Sequence, residues 1–433
     1  MIQTYILHPQ LRTDIRQRVL SQFKNKTEFN IHIVEYTQEP GKAFGLWQSI
    51  LNIINNITSK EDEYIVLCGE DHQFTRSYSS SSLFSCIELA QKNDVDLISG
   101  GPGLVTTILP VSESLYWMEN FTELRFTIIF RKFFSTILAA EFGENDSVDA
   151  VLSFLTQNKF FMHPFISSRY NAESADTLLL DTADADAKDA YINCAQNIET
   201  INKVYRFYCN RTLTDIDINA LSGVTIPTYI INDPERIGRK THMISQFHGR
   251  PEFDVTMIDA CQHPLKKIGL WHSIRKAVRM AIENDDDVII ICGDDHEFSS
   301  GYTKEFLLKN ILEANNQGAD YMSCGCSQFG YALPISANRI WTSYVLSIQF
   351  IVVYKRFFNK VLDEFFDDDI TPDVLLSTMT SNKMLLYPFI SIQKDSGGSD
   401  HYSGSSKRNF TNTNERLHNI QHAYMRYLNG YLI

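Results

Sequence analysis

No run in this chain approaches the roughly 18 consecutive apolar residues of a membrane-spanning helix, and the opening Met1-Ile2-Gln3-Thr4 lacks the charged start and apolar core of a secretory signal. There is no basic excess either. Lys and Arg total 39 against 52 Asp and Glu, a formal net charge of −13, which argues against a protein that must neutralise duplex phosphates and leaves room only for local basic pockets. The eight cysteines show no metal-binding pattern. Cys68 and Cys292 close the apolar runs Ile65-Val66-Leu67-Cys68 and Ile289-Ile290-Ile291-Cys292, and Cys324-Gly325-Cys326 has the wrong spacing for a zinc knuckle, so all read as buried thiols. These absences predict a soluble cytoplasmic protein with no transmembrane segment and no nucleic-acid partner.

What is present is a duplication. Trp47 and Trp271, Asp71 and Asp295, His72 and His296, Pro110 and Pro334, Trp117 and Trp341, and Asp149 and Asp373 are each 224 residues apart, with no insertion or deletion between about Tyr5/Tyr229 and Ser167/Ser391. Short structural repeats recur at periods of about 20–50 residues, so this spacing marks a whole folding unit copied once. The expected organisation is a first repeat over 1–169, a linker over 170–224 with a helix near Ile198 to Tyr208, a second repeat over 225–393, and a C-terminal loop and helix over 394–433.

Each copy reads as strands alternating with helices. A strand at Thr4–Leu7 or Thr228–Ile231 leads to a helix carrying basic residues. Gly-Leu-Trp (45–47, 269–271) opens an amphipathic helix, and a continuous apolar run ends at Cys68 or Cys292. Continuous apolar runs suit parallel strands covered on both faces, and the alternation predicts an α/β, Rossmann-like, doubly wound sheet whose ligands lie beyond the carboxyl ends of the strands. Behind the sheet motif we expect a helix carrying Trp117 or Trp341, then an aromatic-basic stretch, an acidic loop and a short helix near Val148 or Pro372.

The chemistry concentrates at one strand end. Cys292-Gly293-Asp294-Asp295-His296, with Cys68-Gly69-Glu70-Asp71-His72 as its partner, offers carboxylates and an imidazole from a turn in which glycine admits a close approach. Asp294 with His296, or Glu70 with His72, could meet a divalent cation such as Mg2+ or Mn2+, which in turn bridges phosphates. The acids could instead merely cap the following helix, although capping requires neither the histidine nor the glycine that recur in both copies. The paired tryptophans read as core anchors, and Arg131-Lys132 and Lys355-Arg356 as a solvated helix face.

The apolar strand ending in a short acidic motif, preceded by Ile230-Ile231-Asn232-Asp233-Pro234-Glu235-Arg236-Ile237-Gly238-Arg239, resembles the GT-A-fold glycosyltransferases, and within them the bacterial lipopolysaccharide-type (family 25-like) group. The resemblance implies two tandem GT-A-like domains. It implies that Asp294 and His296, beside Gly293 and Asp295, hold a cation on the diphosphate of a nucleotide sugar, with Glu70, Asp71 and His72 as the first copy's equivalents. It puts Arg236 and Arg239, and Arg12 in the first copy, near the nucleotide, and makes Asp373 or Asp149, at a helix start, the base that deprotonates the acceptor. It also makes His401, in the Gly/Ser-rich C-terminal loop, a further cation ligand. The expected function is transfer of a sugar from a nucleotide sugar to a saccharide, lipid or peptide acceptor in the bacterial cytoplasm, the second repeat being the working one. A nucleotidyltransferase and a non-catalytic carbohydrate-binding scaffold are the alternatives. The first of these usually has a glycine-rich loop after its first strand, and neither Leu7-His8-Pro9-Gln10 nor Ile231-Asn232-Asp233-Pro234 contains glycine.

Overall fold

The computed structural model describes residues 1–9, 13–36, 42–169, 182–209, 221–367, 369–394 and 405–428. Two compact units emerge, Met1–Lys203 with Ala423–Ile433, and Val204–His422. The fold is α/β, with one large mixed sheet in each unit.

The first unit contains strands β1 (Ile2–Pro9), β2 (Phe29–Tyr36), β3 (Tyr64–Cys68), β4 (His72–Phe74), β5 (Leu97–Ser99), β6 (Ile108–Pro110), β7 (Leu115–Met118), β8 (Phe126–Phe130), β9 (Lys159–Met162) and β10 (Ser167–Arg169). Its helices are α1 (Thr13–Gln22), α2 (Lys42–Asn52), α3 (Ser80–Lys92), α4 (Arg131–Leu138) and α5 (Val148–Phe154), followed by α6 (Thr182–Cys209). The eight-stranded sheet runs β2-β1-β3-β8-β5-β9-β7-β6, and β4 pairs with β10 in a small separate ladder.

The second unit repeats this order. Its strands are β11 (Ile226–Asn232), β12 (Phe253–Asp259), β13 (Val288–Gly293), β14 (His296–Phe298), β15 (Tyr321–Ser323), β16 (Gln328–Phe329), β17 (Ala332–Pro334), β18 (Arg339–Thr342), β19 (Val345–Leu346), β20 (Phe350–Tyr354), β21 (Lys383–Leu386) and β22 (Ser391–Gln393). The helices are α7 (Ile237–Phe247), α8 (Lys266–Glu283), α9 (Lys304–Asn316), α10 (Lys355–Asp363), α11 (Pro372–Met379) and α12 (Ser405–Tyr427), the last of which belongs to the first unit from Ala423 onward. The sheet order is β12-β11-β13-β20-β15-β21-β18-β17, and β14 pairs with β22. The β16–β19 ladder corresponds to a single bridge between Val105 and Phe121 in the first unit.

Both sheets are mixed. β1 and β2 are parallel, as are β1 and β3, but β8 runs antiparallel between β3 and β5, and β20 does the same between β13 and β15. The residues of these central strands are almost all buried, which is why their apolar runs are continuous. Helix starts follow local chemistry. Ser79 Oγ accepts from Ser82 N at 3.1 Å ahead of α3, Thr303 Oγ1 accepts from Phe306 N at 3.1 Å ahead of α9, and Pro372 occupies the first turn of α11.

One expectation fails. Trp117 and Trp341 lie on strands, not helices: β6–β7 and β17–β18 are antiparallel hairpins that extend the sheets. Each turn is a short polar segment, Ser112-Glu113-Ser114 or Ser336-Ala337-Asn338, between apolar runs. The buried indoles then meet acceptors across the sheet end, Trp117 Nε1 donating to Gln157 O and Trp341 Nε1 to Ser381 O, both at 2.7 Å. The amphipathic helix expected at Gly-Leu-Trp also differs between the copies: α2 ends at Asn52 and a π-helical turn covers Ile53–Ile57, whereas α8 continues unbroken to Glu283.

Two glycines beyond β5 and β15 allow backbone to cross backbone. A Cβ at Gly325 would stand 2.2 Å from Ser391 O, and one at Gly101 would stand 1.8 Å from Ser167 O. Gly325→Ala is therefore expected to destabilise the second unit by about 1–3 kcal/mol through forced backbone displacement. Urea unfolding of the variant against the wild type checks this; an unchanged midpoint would show that the crossing is looser than described.

Candidate active site at the strand tips

β3 and β13 deliver the acidic motif to the carboxyl end of each sheet. The chain turns through Gly69-Glu70-Asp71 or Gly293-Asp294-Asp295 and returns as β4 or β14. Gly69 N donates to Arg125 O at 2.9 Å and Gly293 N to Gln349 O at 3.1 Å, which pins the turn to the start of the neighbouring antiparallel strand. A Cβ at Gly293 would stand 3.0 Å from Asp295 Oδ1, and one at Gly69 would stand 3.1 Å from Asp71 Oδ1. The space opened by the glycine is thus taken by the turn's own carboxylate.

The two histidines face inward. His72 Nδ1 is 2.8 Å from Ser167 Oγ, and His296 Nδ1 is 2.7 Å from Ser391 Oγ, so each ring bonds the strand that pairs with its own. Both are fully buried in aromatic shells: Phe23, Phe74 and Phe126 surround His72, and Phe247, Phe298 and Phe350 surround His296. Burial, reinforced by Lys26 and Arg125, pulls the His72 pKa down to about 3. Burial, reinforced by His242 and Arg250, does the same for His296. Both rings are neutral near pH 7.

The carboxylates face different partners in the two units. In the second, Arg239 on the first turn of α7 donates from Nη1 to Asp294 Oδ1 at 2.6 Å, and both side chains are largely buried. Asp295 accepts from Gln393 Nε2 at 2.6 Å. Burial pushes the Asp295 carboxyl above the usual range; the Gln393 hydrogen bond opposes this, Asp294 adds to it, and Arg239 opposes it. In the first unit Asp71 lies 3.7 Å from Arg125 and 3.8 Å from Arg169, while Arg125 also pairs with Glu123. Arg18 Nη2 donates to Glu70 O at 3.3 Å. Tyr36, buried at the end of β2, has its hydroxyl pKa raised by burial and then by Glu70 and Asp71.

The remaining candidates are dispersed. Asp149 accepts from Glu123 N at 2.8 Å and so reaches the Arg125 cluster, whereas Asp373 bonds locally, to Thr371 Oγ1 and Val374 N. Arg236 is the residue immediately before α7 and lies 3.7 Å from Asp233. Arg12 and His401 lie outside the described residues. Glu123 and the equivalent Ser347 both have left-handed backbone, φ 71° and 152°, in the loop entering the central antiparallel strand. Non-glycine residues in that region carry strain, which concentrates at functional sites.

These residues do not fit the divalent cation implied by the resemblance. Asp294 is engaged by Arg239 and Asp295 by Gln393, while both imidazoles are turned into phenylalanine shells with one nitrogen bonded to serine. Among the described residues no three His, Cys, Asp or Glu side chains are grouped to hold a metal ion. The expectation of His72 and His296 as ligands therefore meets a different geometry: each ring is held inside the small ladder by its serine and by the surrounding phenylalanines, away from the surface of the acidic turn.

Residues outside the motif complete the site. Gln349 and Gln393 occupy the places of Arg125 and Arg169, and His242, whose Nε2 is 2.9 Å from His296 O, occupies that of Arg18. The signal for them was available as exchanges between the copies, charged in one and neutral or weakly basic in the other. A histidine whose native pKa is depressed binds its proton more readily when unfolded, so stability is full above about pH 6.5 and falls as the pH drops toward 3. His72→Phe combined with Ser167→Ala removes this titration without stranding the hydroxyl. The double variant is expected to lose less melting temperature than the wild type between pH 6.5 and 4; identical slopes would refute the neutral, buried imidazole.

No protein-family model matches the chain, and no curated protein does. Among solved structures, an apo UDP-glucose pyrophosphorylase is similar at 14% identity, covering 46% of this chain and 81% of that one, with a TM-score of 0.27. A UDP-glucose pyrophosphorylase complexed with UDP-glucose is similar at 15% identity over the same shares, TM-score 0.28, and A197 from STIV at 13% identity, covering 42% of this chain and 100% of that one, TM-score 0.28.

Proposed function

We propose that the second unit is a nucleotide-sugar-dependent glycosyltransferase working at the tip of β13. The observation that carries the reading is the pair of adjacent carboxylates at a sheet's carboxyl end, one bound by Arg239 at 2.6 Å and the other with a raised pKa. Asp294 holds the guanidinium of Arg239 in place until the donor's diphosphate takes over as its partner, and Arg236 adds charge at the same helix start. Asp295 accepts the proton of the acceptor hydroxyl. The acceptor oxygen forms its bond to the anomeric carbon as the bond from that carbon to the diphosphate breaks. The nucleoside diphosphate leaves with the electron pair, its charge met by Arg239. Asp373 would act as base only if an acceptor reached the first turn of α11. The first unit, with Asp71 between two arginines, is proposed as the non-catalytic copy.

Calorimetry with a panel of nucleotide sugars tests donor binding, and product analysis separates the alternatives. Release of a nucleoside diphosphate supports sugar transfer, release of pyrophosphate points to nucleotidyl transfer, and no binding at all removes both. Asp295→Asn is expected to lower turnover by about 10²- to 10⁴-fold, with donor affinity retained. Arg239→Ala should weaken donor binding by about tenfold or more, the scale of one charge-assisted hydrogen bond. Glu70→Ala with Asp71→Ala should leave turnover unchanged; a comparable loss there would move catalysis to the first unit.

A further inference from the structure

We infer that the exposed face of α8 is a second binding site, independent of the strand tip, for the phosphate-bearing end of a phosphorylated saccharide. His272, Arg275, Lys276 and Arg279 recur at the spacing that places them on one helix face. In a chain of net charge −13 this is a concentrated positive stripe. Three of its members carry permanent charge, and among the described residues none of Arg275, Lys276 and Arg279 has a carboxylate partner. Arg275 is already oriented: its Nη2 donates to Leu362 O at 2.5 Å, and its buried Nε has no partner.

The stripe borders two adjoining, half-open surface depressions of about 350 Å3 each, which share His272 and Arg275. One is lined by Cys261 and the cationic residues. The other is lined by Trp271, Phe365, Phe366, Asp363 and Glu364. Trp271 is fully buried and stacks beneath Phe366 at 5.7 Å with planes 19° apart, so the aromatic surface is supplied by Phe366, held on that support, and by Phe365, which is 81% exposed.

This division identifies the ligand's chemistry. A cationic half with unused N–H donors takes a phosphate group. An aromatic half with two carboxylates takes a body that presents C–H faces to the rings and hydroxyl donors to the acids. A uniform polyanion or an anionic membrane surface would be repelled by Asp363 and Glu364. The first unit supports the assignment by contrast: Gln48, Leu51, Asn52 and Asn55 stand where the stripe stands, and Ala139 and Ala140 replace the two acids, although the Trp47–Phe142 stack is kept. The helix packing is common to both copies; the charges belong to one.

The experiment titrates the full-length protein with glucose 1-phosphate, glucose and inorganic phosphate, and with vesicles of phosphatidylglycerol. Lys276 and Arg279 are exposed, so Lys276→Gln with Arg279→Gln should leave the melting temperature unchanged. We expect glucose 1-phosphate to bind more tightly than glucose or phosphate, and this double variant to weaken it by about tenfold or more. We also expect Asp363→Ala with Glu364→Ala to remove the advantage over inorganic phosphate. Binding should persist in Asp294→Ala with Asp295→Ala, which separates this site from the strand tip. The inference is overturned if glucose 1-phosphate does not bind, if the Lys276/Arg279 variant binds it as tightly as the wild type, if binding is lost with the strand-tip variant instead, or if only the vesicles bind.

Discussion

The hydrogen bond between an imidazole and a serine hydroxyl 95 residues further along, His72 to Ser167 and His296 to Ser391, ties the acidic turn of each unit to the strand that closes it. Strand tips are otherwise the loosest part of a sheet, because backbone pairing stops there. Here the turn is held by the short β4–β10 or β14–β22 ladder, by the His–Ser bond inside it, and by phenylalanine rings packed around the imidazole. The glycine before the acids allows the carboxylate to fold back over the turn, so the adjacent acids emerge at a fixed place. A histidine expected as a ligand is thereby the anchor that positions the acids.

On this common frame the two units carry different electrostatics. Around Asp71 the first unit places Arg125 and Arg169, with Tyr36 and Glu123 filling in. The second replaces both arginines with glutamines, which hydrogen-bond without neutralising, and leaves Asp295 with a carboxyl raised by its surroundings. Arg239, from the first turn of a helix, pairs with Asp294. The same contrast holds between the neutral face of the α2 region and the cationic face of α8. In both places the packing residues are shared and the basic residues around them are not, as expected when a fold is retained and its sites diverge.

Much of this was legible in the chain. The register of the duplication, the parallel strands ending at Cys68 and Cys292, the helices after them and the location of the acids at a strand end follow from apolar runs bounded by charge. The hairpins bearing Trp117 and Trp341 were misread as helices, because short apolar runs around a brief polar turn have no distinctive period. The antiparallel central strands β8 and β20 were not legible as such, since a buried strand looks the same in either direction. The roles of Gln349, Gln393 and His242 were hidden for another reason: each reaches the acidic turn from a distant segment, and only the exchange between copies marks them.

The sequence by itself determined the duplicated α/β architecture and which tip carries the acids, because apolar periodicity and covalent spacing are local properties of the chain. Tertiary structure alone decided which way the imidazoles face, which acids are neutralised and which strand runs against its neighbours. Those outcomes depend on burial and on charge pairing between residues far apart in sequence, and neither quantity exists until the chain has folded.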